Sequence, residues 1–156
     1  MNNDLNSAHM LLEKNGYTCV IKCGETIYTS IERGVRPLLQ LLDSGTDCTG
    51  FSAADKVVGK AAAFLYCLLR VRAVYAAVIS KSALKVLSEQ GIEVLYDDLV
   101  DAIRNRAGTG FCPMETAVLA ESDPKKALDR IRVRLEELRR EQGVSRYPSC
   151  AKKQQI

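Results

Sequence analysis

Asp55 stands three residues after Ser52 in the run Ser52-Ala53-Ala54-Asp55, and a carboxylate there could act as an acid or base if a pocket opened beside it. The same spacing is that of a helix cap, in which Asp55 would stabilise a helix start and do no chemistry. Lys56 and Lys60 are four residues apart, one helical turn. That pair suits a phosphate or a carboxylate, and it suits a solvated helix edge equally well. Cys112 directly precedes Pro113. At a helix start the free N–H groups favour the thiolate, which points to a nucleophile or redox-sensitive thiol; the competing role is a structural cysteine. A Cys–His couple would need His9, the one histidine of the chain, to fold back from the far end of the sequence. His9 otherwise reads as an ordinary surface or half-buried side chain.

The loop Gly108-Thr109-Gly110 precedes the same expected helix start, where backbone N–H groups can cradle an anion. It lacks the Gly-Lys-Ser/Thr ending of a phosphate-binding P-loop. Glu115, three positions after Cys112, completes a cap-like pattern and is a second polar group for such a site. Ser30 and Arg33, with Gly34, close the group of candidates as contacts for an anion at the end of a hairpin, or as a plain turn.

These residues need elements to hold them. Asp4 to Lys14 has helical spacing and a stop at Asn15-Gly16. Tyr17 to Lys22 and Thr26 to Ser30 are β-branched and aromatic runs joined through Cys23-Gly24-Glu25, which predicts a hairpin. Val35 to Leu42 reads as a helix with Pro37 in its first turn. A long helix is predicted from Ser52 to about Leu69, apolar or small on nearly every side and therefore buried. Ala73 to Ile79 and Ile92 to Tyr96 read as apolar strands around a helix from Ser80 to Gln90, a unit that implies parallel strands. A short helical stretch from Asp98 to about Arg106, a helix near Cys112-Pro113 and a last helix opened by Asp123-Pro124 complete the order. The last helix puts Leu128, Ile131, Leu135 and Leu138 on one stripe.

The 156 residues suit one domain, residues 1–142, with a weakly structured tail at 143–156. Composition is ordinary for a globular protein, with 47% hydrophobic and 26% charged residues. The longest apolar stretch, Ala61 to Val78, is interrupted by Arg70 and Arg72, and Met1-Asn2-Asn3-Asp4 has no basic start leading into an apolar run. A cytoplasmic location without membrane residence is the expectation. Six cysteines scattered through expected helices and strands read as reduced thiols. Arg146, Lys152 and Lys153 of the tail account for as much as the net charge of +3, so no nucleic-acid-binding face is indicated.

The element order resembles the cytidine-deaminase-like fold, a three-layer α/β/α arrangement whose mixed sheet has an antiparallel amino-terminal hairpin and parallel later strands. The stretches Arg33 to Leu39, Gly50 to Ala61 and Gly108 to Glu115 resemble those of a small bacterial family of uncharacterised proteins assigned to that fold. The likeness covers roughly Tyr17 to Leu138 and implies a fold, not an activity. Zinc deaminases carry a His or Cys and a nearby Glu at the start of the central helix, and Pro-Cys-x-x-Cys after the next strand. Those places here read Ser52-Ala53-Ala54-Asp55 and Ile79-Ser80-Lys81-Ser82-Ala83. Zinc-dependent deamination is therefore not expected, nor is a metal or a cofactor. Two functions follow: a small-molecule site for a nucleotide, nucleoside or similar metabolite, with Asp55 and Cys112 as catalytic candidates and Ser30, Arg33, Ser52, Lys56, Lys60, Thr109 and Glu115 as binding candidates, or a non-catalytic regulatory or protein-interaction module. By analogy with the fold, a homo-oligomer is expected.

Overall fold

The computed structural model describes residues 3–105, 108 and 110–141. A helix α1 (Asn3–Asn15) leads into the hairpin β1 (Cys19–Cys23) and β2 (Thr26–Ser30), then α2 (Arg36–Asp43). Next come β3 (Ser52–Val58), α3 (Lys60–Leu69), β4 (Ala73–Ser80), α4 (Lys81–Glu89) and β5 (Glu93–Val100). A single-turn helix α5 (Pro113–Ala117) and the surface helix α6 (Pro124–Glu141) follow. The tail predicted for 143–156 lies outside the described residues.

The five strands form one open sheet in the order β2-β1-β3-β4-β5. The hairpin is antiparallel and closes through Gly24, whose φ of 59° meets the need of a two-residue turn. β1 pairs antiparallel with β3, while β3, β4 and β5 run parallel. The mixed α/β architecture thus has the strand directions predicted from sequence. Helix α1 covers one face, packing Leu5, Ala8 and Leu12 on Val20, Ala54, Ala73 and Tyr75. The larger core lies on the other face, where α2, α3 and α4 bury Leu38, Phe64, Leu65 and Leu87 against Ile21, Ala53, Val74 and Ile79. Ala127 and Ile131 of α6 close that core from outside, with Leu128, Leu135 and Leu138 half-buried beside them.

Two elements differ from expectation. The segment Ser52–Val58 is not the first half of a long helix but the central strand, paired on both sides. Ala53 and Ala54 have high helix propensity, but two ladders of backbone hydrogen bonds outweigh a preference of a few tenths of a kcal/mol per residue. The β-branched pair Val57-Val58 keeps the strand extended to its last residue, and after Gly59 the helix begins only at Lys60. The stretch after Asp98 is also not helical: β5 continues to Val100, and residues 101–105 form no helix. Pairing with β4 through Ser80 holds those residues extended although Asp97 and Asp98 break the apolar pattern.

Helix α3 ends on Arg70 in the left-handed conformation, φ 64°, the one non-glycine residue with positive φ among the described residues. Its backbone N–H reaches the carbonyls of Tyr66 and Cys67, and its carbonyl accepts the Gly50 N–H at 3.1 Å. A Cβ in that conformation costs about 1 kcal/mol or more. Arg70→Gly is therefore expected to stabilise the protein by about 0.5–1 kcal/mol, after the greater freedom of glycine in the unfolded chain is offset, as measured by urea unfolding.

Candidate functional site

Parallel strands followed by helices on one face bring the amino ends of those helices to the carboxyl edge of the sheet. Here α3 and α4 pack side by side, and their amino ends carry free backbone N–H groups that need acceptors. At α4 the acceptor is local: Ser80 Oγ, fully buried, takes the Ala83 N–H at 3.2 Å. At α3 it is not, because the cap position is Gly59, which has no side chain.

The acceptor comes from 55 residues further along the chain. Glu115 of α5 places Oε1 2.7 Å from the Lys60 amide nitrogen and Oε2 3.0 Å from that of Ala61, so one carboxylate holds two helix-start donors. This is a charge-assisted pair on the positive end of a helix. Gly59 makes it possible: a Cβ there would stand 2.5 Å from the Glu115 carboxylate. The Lys60 ammonium donates to the Leu119 carbonyl at 2.8 Å, which ties the segment just after α5 to the same spot. Cys112 occupies the cap position of α5, half-buried, with its carbonyl accepting the Glu115 and Thr116 amides. The structure thus brings Glu115 to the start of α3 at Lys60, with Cys112 one turn before it at the start of α5. Lys81, first in α4, pairs with Asp101 at 2.9 Å on the exposed surface.

The other residues singled out in the sequence lie elsewhere. Ser52 opens β3 and is fully buried, so it caps no helix. Asp55 sits in the middle of β3, facing the core, not at a helix start; the cap pattern from Ser52 to Asp55 is therefore corrected with the element that contained it. Lys56 is exposed on the strand and Lys60 lies on the following helix, so the two are not one turn apart on a common helix face. Ser30 ends β2, where its Oγ accepts the Glu32 N–H, and Arg33 is exposed in the turn beyond. Thr109 lies outside the described residues.

Asp55 belongs to a second constellation with no local signal in the sequence. It pairs in register with Cys19 of β1, and Tyr66 of α3 reaches both: Tyr66 Oη is 2.7 Å from Asp55 Oδ2 and 3.3 Å from Cys19 Sγ. Burial raises the Asp55 carboxyl to about 7, against the lowering effect of the Tyr66 and Val57 hydrogen bonds, and pushes Cys19 and Tyr66 well above their ordinary ranges. On the opposite sheet face His9 is stacked on Tyr75, ring centroids 3.6 Å apart, and paired with Glu13 at 2.9 Å. Tyr75 donates in turn to Asp97 at 2.5 Å. Among the described residues no three His, Cys, Asp or Glu side chains converge on a point that could hold a metal ion. Cys19, Cys23, Cys48, Cys67 and Cys112 are free thiols. No described helix is long and apolar enough to cross a membrane.

A family model described as TM1506, a domain of unknown function (DUF1893), matches residues 7–135. The chain belongs to the DUF1893 family. A crystal structure of a DUF1893 family protein (TM1506) from Thermotoga maritima is similar to it, with 32% sequence identity, a TM-score of 0.78, and coverage of 88% of this chain and 91% of the other. No curated protein matches. Membership of DUF1893 brings a shared fold over nearly the whole chain and assigns no activity.

Gly59 and Glu115 give this DUF1893 site a test independent of any ligand. Gly59→Ala is expected to destabilise by about 1–2 kcal/mol, because the added methyl evicts the carboxylate that satisfies two amides. In a Glu115→Ala background the same change should cost clearly less. A double-mutant cycle by chemical denaturation reads the coupling directly.

Proposed function

We propose that this chain binds a small metabolite carrying an anionic group, with nucleotides the foremost class, at the carboxyl edge of β3 and β4. The observation that carries the reading is the Glu115 carboxylate seated on the Lys60 and Ala61 amides: the chain fills with its own anion a position whose backbone dipoles favour one. By the deaminase-like resemblance of the sequence, the catalytic apparatus of that fold would lie here, at the start of the helix after β3. It now falls on Gly59-Lys60-Ala61 and not on Ser52 to Asp55. Glu115 gives way to the phosphate or carboxylate of the ligand. Lys60 and Cys112 adjoin it. Ser52 and Asp55 act at a distance at most, and Ser30, Arg33 and Lys56 stand on other parts of the sheet.

One observation favours the interaction module instead. β5 is an edge strand of eight residues with Leu95, Tyr96 and Leu99 exposed, and apart from β4 it pairs with no described strand. Such an edge is a ready surface for self-association or for a partner. The open groove of about 370 Å³ between α5 and α6 favours neither reading, since Arg130, Arg134 and Glu137 on its wall are already held in ion pairs.

A thermal-shift series with nucleobases, nucleosides, nucleotides and phosphorylated metabolites separates the two, because a ligand of the native state raises its unfolding temperature. The expected result is stabilisation by a phosphate-bearing compound that grows in Glu115→Gln, where the competing internal charge is gone, and falls in Lys60→Ala. If no compound stabilises either form of a well-folded protein, the small-molecule reading fails.

A further inference from the structure

The Cys19, Tyr66 and Asp55 side chains form an unbroken line of hydrogen bonds inside the core, joining β1, α3 and β3. Two arrangements of its protons keep both hydrogen bonds. With Asp55 ionised, the Cys19 S–H donates to Tyr66 and the Tyr66 O–H donates to the carboxylate. With Asp55 protonated, both bonds reverse: the carboxyl O–H donates to Tyr66 and the Tyr66 O–H donates to Cys19 Sγ. Hydrogen bonding thus leaves the choice nearly open, and it falls to the cost of burying charge. The titratable groups that face Asp55 are Cys19 from β1, Tyr66 from α3 and, behind Cys19, Cys48 of the loop before β3. β4 offers only Ala76 in the adjoining register position, and no lysine, arginine or histidine among the described residues pairs with Asp55. Lys56, next on β3, is exposed, and strand alternation sends it to the other face.

We propose that the Cys19–Tyr66–Asp55 line is a pH-sensitive switch built into the fold: protonated Asp55 seats α3 on β1 and β3, and ionised Asp55 loosens that seat. Burial raises Asp55 to about 7 from an ordinary value of 3.8. A raised acid favours the folded state fully below its ordinary value, and that contribution is lost as pH rises through about 7. The switch therefore acts between pH 4 and about 7 and is complete above it. The ligand proposed for the amino end of α3 plays no part in this, so the two ideas stand or fall separately.

Asp55→Asn fixes the protonated arrangement, since its amide N–H can donate to Tyr66 as the carboxyl O–H does. Thermal unfolding of wild type and Asp55→Asn across pH 4–9 reads the effect, with all other titrating groups common to both. The expected result is unfolding temperatures that nearly coincide at pH 4 and separate progressively up to about pH 7, with the variant higher and the gap constant beyond. Curves that stay parallel over the whole range would overturn the proposal. Carbon-13 NMR of the Asp55 carboxyl in the wild type gives a second reading that needs no variant to fold. A midpoint near 7 that moves higher in Tyr66→Phe supports the switch, and a midpoint near 4 overturns it.

Discussion

Everything at the candidate site depends on one fact of backbone accounting: the first two amides of α3 have no acceptor of their own. The helix starts directly after a glycine, so no side chain at its cap can supply one. Buried or half-buried N–H groups left unmet cost on the order of 1–3 kcal/mol each. The chain meets the demand with Glu115, and in doing so fixes where α5 must sit and why Gly59 must remain small. A structural need of this kind and a binding function use the same physics, since an anion from outside would meet the same dipoles.

The second constraint is β3. As the strand between an antiparallel and a parallel neighbour it links the hairpin to the β4-α4-β5 unit, and its small residues Ala53 and Ala54 allow helices to pack on both faces. Asp55 is the exception in that strand, a buried carboxyl with a tyrosine donor and, among the described residues, no cation paired with it. An apolar residue of similar size would be the simpler solution for stability alone. What Asp55 adds is a dependence of the fold on proton concentration.

Much of this was legible in the sequence. The hairpin was marked by β-branched runs around Gly24, the β4-α4-β5 unit by two apolar runs around an amphipathic segment, and the last helix by its leucine stripe. The central strand was hidden for a physical reason: Ser52-Ala53-Ala54-Asp55 imitates a helix cap, and nothing local distinguishes an alanine-rich buried strand from the helix that follows it. Cys112 and Glu115 were recognised as a helix start, yet the carboxylate serves a different helix, 55 positions away, and such a contact leaves no mark in local spacing. Asp55 was singled out, but its partners Cys19 and Tyr66 were not, because only strand register and helix packing bring the three together.

Whether an outside anion reaches the amino end of α3 and displaces Glu115 can be read at the two amides themselves. Nitrogen-15 NMR spectra of the labelled protein, recorded during titration with inorganic phosphate and then with a nucleoside monophosphate, follow Lys60 and Ala61 individually. The account predicts saturable shifts at these two amides, accompanied by a change at the Glu115 side chain, and tighter saturation for the nucleotide. Shifts that gather elsewhere while Lys60 and Ala61 stay in place would contradict it.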